Sequence, residues 1–188
     1  SIFRKYIGKR VLEVGAGCGN FTEYILQEKV DYIKSLEPSR NLAPQLEAKF
    51  SSNTKVEVFN CYLNGYQGEE MRHFDTIFYI NVLEHVEHDT QEIILARNHL
   101  EDSGHMLIMV PALPFIYGAL DKEFGHYRRY LKAELASKVE QANLEIIKIG
   151  YMDIAGILPW WFVYKVLGIK KLSGRSVKIY DTVAIPVC

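Results

Sequence analysis

The chain has 188 residues, 48% hydrophobic and 24% charged, which is close to an ordinary globular composition and excludes a disordered or fibrous chain. Its 22 Lys and Arg nearly balance its 23 Asp and Glu, so the formal net charge of -1 provides no basic field, and we expect no nucleic-acid partner. Three cysteines without a CxxC pair predict neither a disulfide framework nor a zinc site. We therefore expect a single domain over 1–188 in a reducing cytoplasm.

Apolar runs alternate with amphipathic helical patterns along the chain. The strand candidates are 9–14, 31–36, 55–59, 74–80, 105–110 and 144–150. A first helical pattern follows the glycines at 15–19, and a second follows Glu37-Pro38-Ser39 and extends through Phe50. Helical patterns recur at about 90–100, with Ser103-Gly104 as a stop signal, and at 131–142. This alternation is typical of right-handed βαβ crossovers. We predict an α/β fold with a doubly wound, mostly parallel sheet and helices on both faces.

A glycine-rich turn, GAGCG at 15–19, lies between the first strand and the first helix. Glycine lets the backbone turn sharply and approach a ligand closely, although a tight strand-to-helix turn needs glycine in any case. The third glycine comes one position earlier than in GxGxxG, which disfavours a pyrophosphate cradle. Glu37, which ends the second strand candidate, can accept hydrogen bonds from both hydroxyls of a ribose; the alternative is a solvated strand-end acid.

These residues, with the segments 74–77 (FDTI) and 81–86 (NVLEHV), resemble class I S-adenosylmethionine-dependent methyltransferases over about 9–150. The later segments 110–114 (VPALP) and 117–130 are similar to a bacterial and archaeal subgroup associated with glycosyltransferases and cell-envelope glycan pathways. The resemblance implies a Rossmann-like fold, S-adenosylmethionine as cofactor and S-adenosylhomocysteine as product. It also implies a cofactor-binding core at about 9–110, with acceptor-site cap elements at about 111–130 and 151–175.

The resemblance also implies individual cofactor contacts. It places Glu37 on the ribose and Pro38 beside the adenine. Where the family often has an acidic residue at the adenine amine, this chain has Tyr62 followed by Leu63, so we expect backbone or ring contacts there. The residues implied at the methionine end are Glu13, Gly15, Ala16, Gly17, Asn81 and Val82.

Methyl transfer requires an aligned acceptor, exclusion of water and, for a hydroxyl acceptor, removal of a proton. His85 and His126 are the candidates for the base or for acceptor contact; the alternative is that His85 orients its loop within a polar helix start at 84–89. We expect no metal site, because the acidic and imidazole residues at 84–89 are nearly contiguous and only His85 and Asp89 have an i, i+4 spacing.

A second group of polar residues suits a phosphate, a carboxylate or sugar hydroxyls on the acceptor. Its candidate substrate-binding members are Tyr117, Tyr127, Arg128, Arg129 and Tyr130. The alternative is that an Arg anchors this loop by an ion pair with Asp121 or Glu123. The subgroup resemblance, together with the neutral charge, implies O- or N-methylation of a small-molecule, glycan or lipid-linked acceptor, and the resemblance implies a glycosyltransferase-pathway protein as a partner.

The segment 154–164 (IAGILPWWFVY) is apolar for 11 residues, too short to span a bilayer. It is interpreted as a helix that packs on the domain or covers the active site, or as an interfacial helix that gives peripheral membrane contact. Residues 176–187 are a candidate for an antiparallel last strand, unless that strand lies beyond the chain. Two other functions remain open: a nicotinamide-dependent oxidoreductase or epimerase, and a non-catalytic cofactor-binding partner protein.

Overall fold

The computed structural model describes residues 3–68 and 73–152 of the chain. They contain a five-stranded sheet in which every pairing is parallel and the strand order is β3-β2-β1-β4-β5. The strands are β1 (Arg10–Val14), β2 (Tyr32–Leu36), β3 (Val56–Phe59), β4 (Phe74–Ile80) and β5 (Leu100–Met109). The predicted parallel α/β sheet is therefore confirmed.

Helices follow the strands in the predicted alternation. They are α1 (Asn20–Ile25), α2 (Ala43–Phe50), α3 (Asp89–His99), α4 (Ala119–Glu123) and α5 (Lys132–Gln141), with short 3-10 turns at Arg4–Tyr6, Leu63–Gly65, Leu83–His85 and Pro114–Ile116. Both faces of the sheet are covered, because successive strand residues point to opposite sides and enter different apolar clusters. In β4, Phe78 packs with Ile25 of α1, whereas Ile77 packs with Ile93 of α3.

Two sequence-based predictions in this region are wrong. Among the described residues, the segment 144–150 pairs with no strand, although Leu144 packs against the core; its apolar alternation is that of a strand, but alternation does not specify a neighbour to pair with. Ser103-Gly104 does not end the third helix, since α3 ends at His99 and both residues belong to β5. A Cβ on Gly104 would lie 3.0 Å from the Asp75 carbonyl oxygen, so glycine at this position allows β5 to approach β4 closely.

After β5, residues 111–130 form a loop that we call the lid. Its two ends are joined by an isolated bridge between Ala112 and Tyr130. Backbone hydrogen bonds from Leu113 N to Tyr130 O (3.0 Å) and from Tyr130 N to Pro111 O (2.9 Å) close this base. The lid contains Pro114–Ile116 and α4, and it lies beside the carboxyl end of β4 because Tyr127 N donates to Glu84 O (2.7 Å).

Within the described residues, no helix combines the length and apolar character needed to cross a membrane. The predictions for 154–164 and 176–187, and nearly all of the second cap element at 151–175, lie outside those residues.

Candidate functional site

The strand order reverses between β1 and β4, and in open parallel sheets ligands bind at such a crevice, beyond the carboxyl ends of the strands. The glycine turn lies there. Gly15 has a φ of +73°, and a Cβ at this position would overlap the side chain of Val82, which follows β4. The N–H groups of Gly15 and Ala16 both donate to Leu36 O, at 2.8 and 3.0 Å. The turn is thus fixed between the ends of β2 and β4.

Glu37 follows β2 at the same edge and is buried. Its Oε2 accepts a hydrogen bond from Gly17 N at 2.7 Å, and its Oε1 accepts one from Ser39 N at 2.8 Å. A carboxylate offers about four lone-pair positions, so two remain for other donors. Glu37 is therefore a buried acceptor facing the glycine turn and not a solvated strand-end acid.

Glu13 lies beneath the turn at the end of β1. Its Oε2 accepts hydrogen bonds from Thr22 Oγ1 at 2.7 Å and from Ser35 Oγ at 3.0 Å. Burial raises the pKa of Glu13 to about 7, although these two hydrogen bonds lower it. Glu13 thereby joins β1 to α1 and β2. Its contact with the methionine end of a cofactor stays a prediction.

The remaining predicted cofactor residues surround this crevice. Asn81 is exposed, has a φ of +54° and donates its N–H to Met109 O at 2.8 Å. Tyr62 is 71% exposed and is free to pack on a ring, whereas the Leu63 side chain is buried in the core and leaves only its backbone for a ligand. Pro38 is half-buried next to Glu37. The structure thus brings the predicted residues to one edge of the sheet.

The cofactor implied by the sequence fits this edge. Gly17 has a φ of +58°, and no heavy atom lies within 4 Å of where its Cβ would be, so the turn borders open space that a side chain would fill. The two unused acceptor positions of Glu37 suit the paired hydroxyls of a ribose. These residues fit S-adenosylmethionine, whose binding requires no phosphate cradle.

In the lid, His126 is held by Asp121. Asp121 Oδ1 lies 3.0 Å from His126 Nδ1 and accepts a hydrogen bond from Arg129 Nε at 2.7 Å. Burial raises the pKa of Asp121, but the hydrogen bonds from Arg129, Gly118 and His126 outweigh it, so this pKa lies below its usual value. The Arg129–Asp121 ion pair is the predicted structural anchor of the loop. Asp121 also fixes Nδ1 of His126, the candidate base.

His85 and Glu84 lie in the turn after β4 and face His126. The rings of His85 and His126 are edge-to-face with centroids 4.7 Å apart. Burial and the neighbouring His126 lower the pKa of His85. Glu84 is 1% exposed, its Oε2 has no hydrogen-bond partner, and burial raises its pKa to about 7. The two candidate histidines therefore meet beside a buried carboxyl group.

Arg128 and Tyr130 bind the start of α3 through Asp89. Arg128 Nη1 lies 3.1 Å from Asp89 Oδ2. Tyr130 Oη lies 2.8 Å from the same oxygen and 3.0 Å from Leu83 O, and these two acceptors share its one hydroxyl hydrogen. Lys138 of α5 lies 2.9 Å from Asp89 Oδ1. These contacts give Arg128 and Tyr130 a role in fixing the lid. Binding of an acidic acceptor group by Arg128 or Arg129 stays a prediction.

The two other predicted acceptor residues differ in their exposure. Tyr117 Oη donates to His126 O at 2.6 Å and so supports the backbone at that residue. The Tyr127 side chain is 55% exposed, although its backbone is bound to Glu84. Of the predicted acceptor side chains, Tyr127 is thus the most open to a ligand.

One cavity connects the end of β4 with the lid. Its lining includes Asn81, Glu84, His85, His126 and Arg129, and it continues along β5 to residues 143–152. Sequence reasoning missed the link of Asp121 to His126 and the role of Asp89 in joining α3, α5 and the lid. No local spacing indicates these pairs, because each depends on how the lid returns to the turn after β4.

Solved structures with a similar fold include S-adenosylmethionine-dependent methyltransferases. The Mesorhizobium loti enzyme is 13% identical, with 88% of this chain and 90% of that chain covered and a TM-score of 0.69. A putative methyltransferase from Bacillus halodurans is 14% identical, with 97% and 81% covered and a TM-score of 0.69. The methyltransferase CalH, solved with S-adenosylhomocysteine, is 20% identical, with 74% of this chain and 45% of that chain covered and a TM-score of 0.58.

At these identities the likeness shows the fold. No curated protein sequence matches the chain significantly. The sequence model of a methyltransferase domain matches residues 5–149, which is most of the chain. This match favours a methyltransferase over the nicotinamide-dependent alternative. The chain therefore belongs to the methyltransferase domain family, and the predicted S-adenosylmethionine-dependent methyltransferase, with that cofactor and S-adenosylhomocysteine as product, is confirmed at the level of family and fold.

Proposed function

We propose that this domain transfers the methyl group of S-adenosylmethionine to an oxygen or nitrogen of a small-molecule, glycan or lipid-linked acceptor, bound between the end of β4 and the lid. One observation carries the proposal. The imidazoles of His85 and His126 and the carboxyl group of Glu84 line a single cavity that also reaches Asn81, beside the glycine turn. A polar group of an acceptor in this cavity would lie next to the edge of the sheet that contains the glycine turn and Glu37, which we call the cofactor edge.

S-adenosylmethionine supplies an electrophilic methyl carbon when bound. An acceptor lone pair would take the methyl group in line, and the sulfur would keep the electron pair of the bond that breaks. The chain's own part is to align the partners and exclude water. Glu37 and Gly17 hold the nucleoside side, and the Val82 side chain closes the crevice against Gly15.

The second requirement is a place for the acceptor proton. His126 directs Nδ1 at Asp121, which leaves Nε2 as the ring nitrogen available to an acceptor. His85 approaches the same point from the turn after β4. We assign these histidines to contact with the acceptor's reacting group, and Asp121 to the orientation of His126.

The net charge of the chain and the exposed surface of the lid support the proposed acceptor class. The net charge of -1 provides no field for nucleic acid. The lid exposes the aromatic side chains of Phe115, Phe124 and Tyr127, at 64, 45 and 55%, which suit the faces of sugar rings or an apolar carrier. The cell-envelope subgroup, a glycosyltransferase-pathway partner and peripheral membrane contact through 154–164 belong to this proposal through sequence resemblance and composition.

The proposal is tested in two stages. Calorimetric titration with S-adenosylhomocysteine and, separately, with oxidised nicotinamide dinucleotide should show micromolar binding of the first ligand only. Transfer of a labelled methyl group is then measured on simple phenols and amines, free and lipid-linked glycans, tRNA and denatured protein. We expect activity within the first two classes, reduced by His126→Gln and kept by His88→Gln, an exposed histidine at the start of α3. Activity on tRNA or protein alone would contradict the proposed acceptor class, and cofactor binding without transfer to any acceptor would favour a non-catalytic partner protein.

A further inference from the structure

Three side chains with metal-binding atoms meet at the acceptor end of the cavity. Glu84, His85 and His126 each offer one ligand atom, and these atoms all lie within 4.8 Å of one another. Glu84 and His85 belong to the turn after β4, whereas His126 comes from the lid. The hydrogen bond from Tyr127 N to Glu84 O holds the two segments together.

The carboxyl group of Glu84 requires a partner that the described side chains do not supply to its Oε2. Glu84 is 1% exposed, and Oε2 is buried without a hydrogen bond. Desolvating a polar atom without pairing costs about 1–3 kcal/mol, and more for a charged group. A proton or a cation on this oxygen removes that cost. Glu84 therefore brings a buried carboxylate oxygen without a hydrogen bond to the group of residues that also contains the two histidines.

Both histidines have the arrangement that is common among metal ligands. Metal-binding imidazoles usually bond their second ring nitrogen to a carboxylate or a backbone carbonyl, which fixes the ring and its tautomer. His126 bonds Nδ1 to Asp121 Oδ1, and His85 is hydrogen-bonded to the backbone of Gly125. Each ring thus has one nitrogen held in place and one left for the cluster.

We propose that Glu84, His85 and His126 form a site for a divalent transition-metal ion, such as Zn²⁺ or Mn²⁺. Two imidazoles and one carboxylate favour these ions over Ca²⁺ and Mg²⁺, which prefer all-oxygen sites. Catalytic zinc sites have three protein ligands and an open fourth position. In this cavity the open position would face the acceptor, so in the metal-bound protein the ion, and not the two imidazoles, would contact an acceptor oxygen and favour its deprotonation.

This inference rests on the proposed function, and it revises the expectation of no metal site. That expectation considered residues 84–89 alone, with Asp89 as the partner of His85. In the structure Asp89 binds Tyr130 and Lys138 instead, and the third ligand comes from His126. Ligand atoms around a tetrahedral zinc ion are about 3.4 Å apart, so the distances between the three ligand atoms, which are at most 4.8 Å, would shorten by up to about 1.4 Å on binding.

The test is direct metal binding by the full chain, freed of metal by a chelator and dialysed. Titration with ZnCl₂ and MnCl₂ by calorimetry should show one equivalent bound at micromolar or lower Kd, and Co²⁺ should give the visible absorption of a four- or five-coordinate site. We expect Glu84→Gln, His85→Ala and His126→Ala each to weaken binding at least about tenfold, and Asp121→Asn to weaken it about 10-fold to 100-fold. His88→Ala should bind metal as the original chain does.

His85→Ala keeps the test valid if the variant of buried Glu84 fails to fold, since His85 is exposed. The proposed metal site would be overturned if the chain bound no metal at concentrations below millimolar. It would also be overturned if His85→Ala and His126→Ala left the metal affinity unchanged. Full methyl transfer in excess chelator would overturn its role. Titration with S-adenosylhomocysteine in the same chelator separates this failure from a failure of the proposed function, because the cofactor edge contains none of the three ligands.

Discussion

Glu37 Oε2 accepts a hydrogen bond from the backbone N–H of Gly17, 2.7 Å away and 20 residues earlier in the chain. This contact joins the end of β2 to the turn after β1, so the acid that would bind a ribose also fixes the glycine turn beneath it. Removing the charge therefore affects both the ligand and its support.

We expect Glu37→Gln to weaken S-adenosylhomocysteine binding at least about tenfold, because its amide nitrogen cannot accept a hydrogen bond, and bonds to a carboxylate are worth about 1.5–3 kcal/mol. Glu47→Gln is the matched control, since Glu47 is exposed on α2. Calorimetry measures both dissociation constants. Equal affinity in the two variants would place the ribose elsewhere.

Gly17→Ala should lower S-adenosylhomocysteine affinity far more than it lowers stability. Its Cβ would enter the open space assigned to the ligand, whereas the positive φ costs about 1–2 kcal/mol. Gly125→Ala is the control, because Gly125 also has a positive φ and no heavy atom within 4 Å of its Cβ position. Urea unfolding should show similar losses for both variants, and calorimetry should show lost binding for Gly17→Ala alone. Similar affinities would show that the ligand does not cross the turn.

The buried Glu13 predicts a pH-dependent stability. Its pKa rises from 4.5 to about 7 in the folded protein, so the folded state holds its proton more tightly. The free energy of unfolding should therefore fall as pH rises from about 4.5 to about 7, by up to about 3 kcal/mol from this group. Glu13→Gln should lack this part of the decrease.

Urea unfolding of both proteins between pH 5 and 8 measures the difference. The contributions of Glu84, His85 and His99 are present in both and cancel. Glu47→Gln controls for the loss of one exposed acidic side chain. Parallel curves for the original chain and Glu13→Gln would show that Glu13 is already ionised below pH 5.

Tyr130→Phe should lower the free energy of unfolding by about 1–2 kcal/mol, because it leaves the Leu83 carbonyl and Asp89 without the buried hydroxyl donor. Tyr127→Phe should change stability by less than about 0.5 kcal/mol, since that side chain is 55% exposed. Thermal or urea unfolding distinguishes them. A Tyr130→Phe variant as stable as Tyr127→Phe would mean that water replaces the lost donor.

The sequence was sufficient for the elements whose signal is local. The buried strands β1 and β4 appear as continuous apolar runs, and the glycines at 15–19 specify a turn that only small residues allow. The segment 144–150 was mispredicted because alternation indicates an apolar face but not a pairing partner. The contact of Asp121 with His126 could not be predicted for a related reason. It depends on the path of the lid, which sequence periodicity does not indicate.

The lid is attached through its backbone and its inner side chains. Tyr127 N, Arg129 and Tyr130 make the anchoring contacts, whereas Phe115, Phe124 and the Tyr127 ring point outward. The lid is therefore attached by groups other than its exposed aromatic side chains. Outward positions can be randomised without loosening the frame, which makes this loop a suitable region for directed evolution of new methyl acceptors.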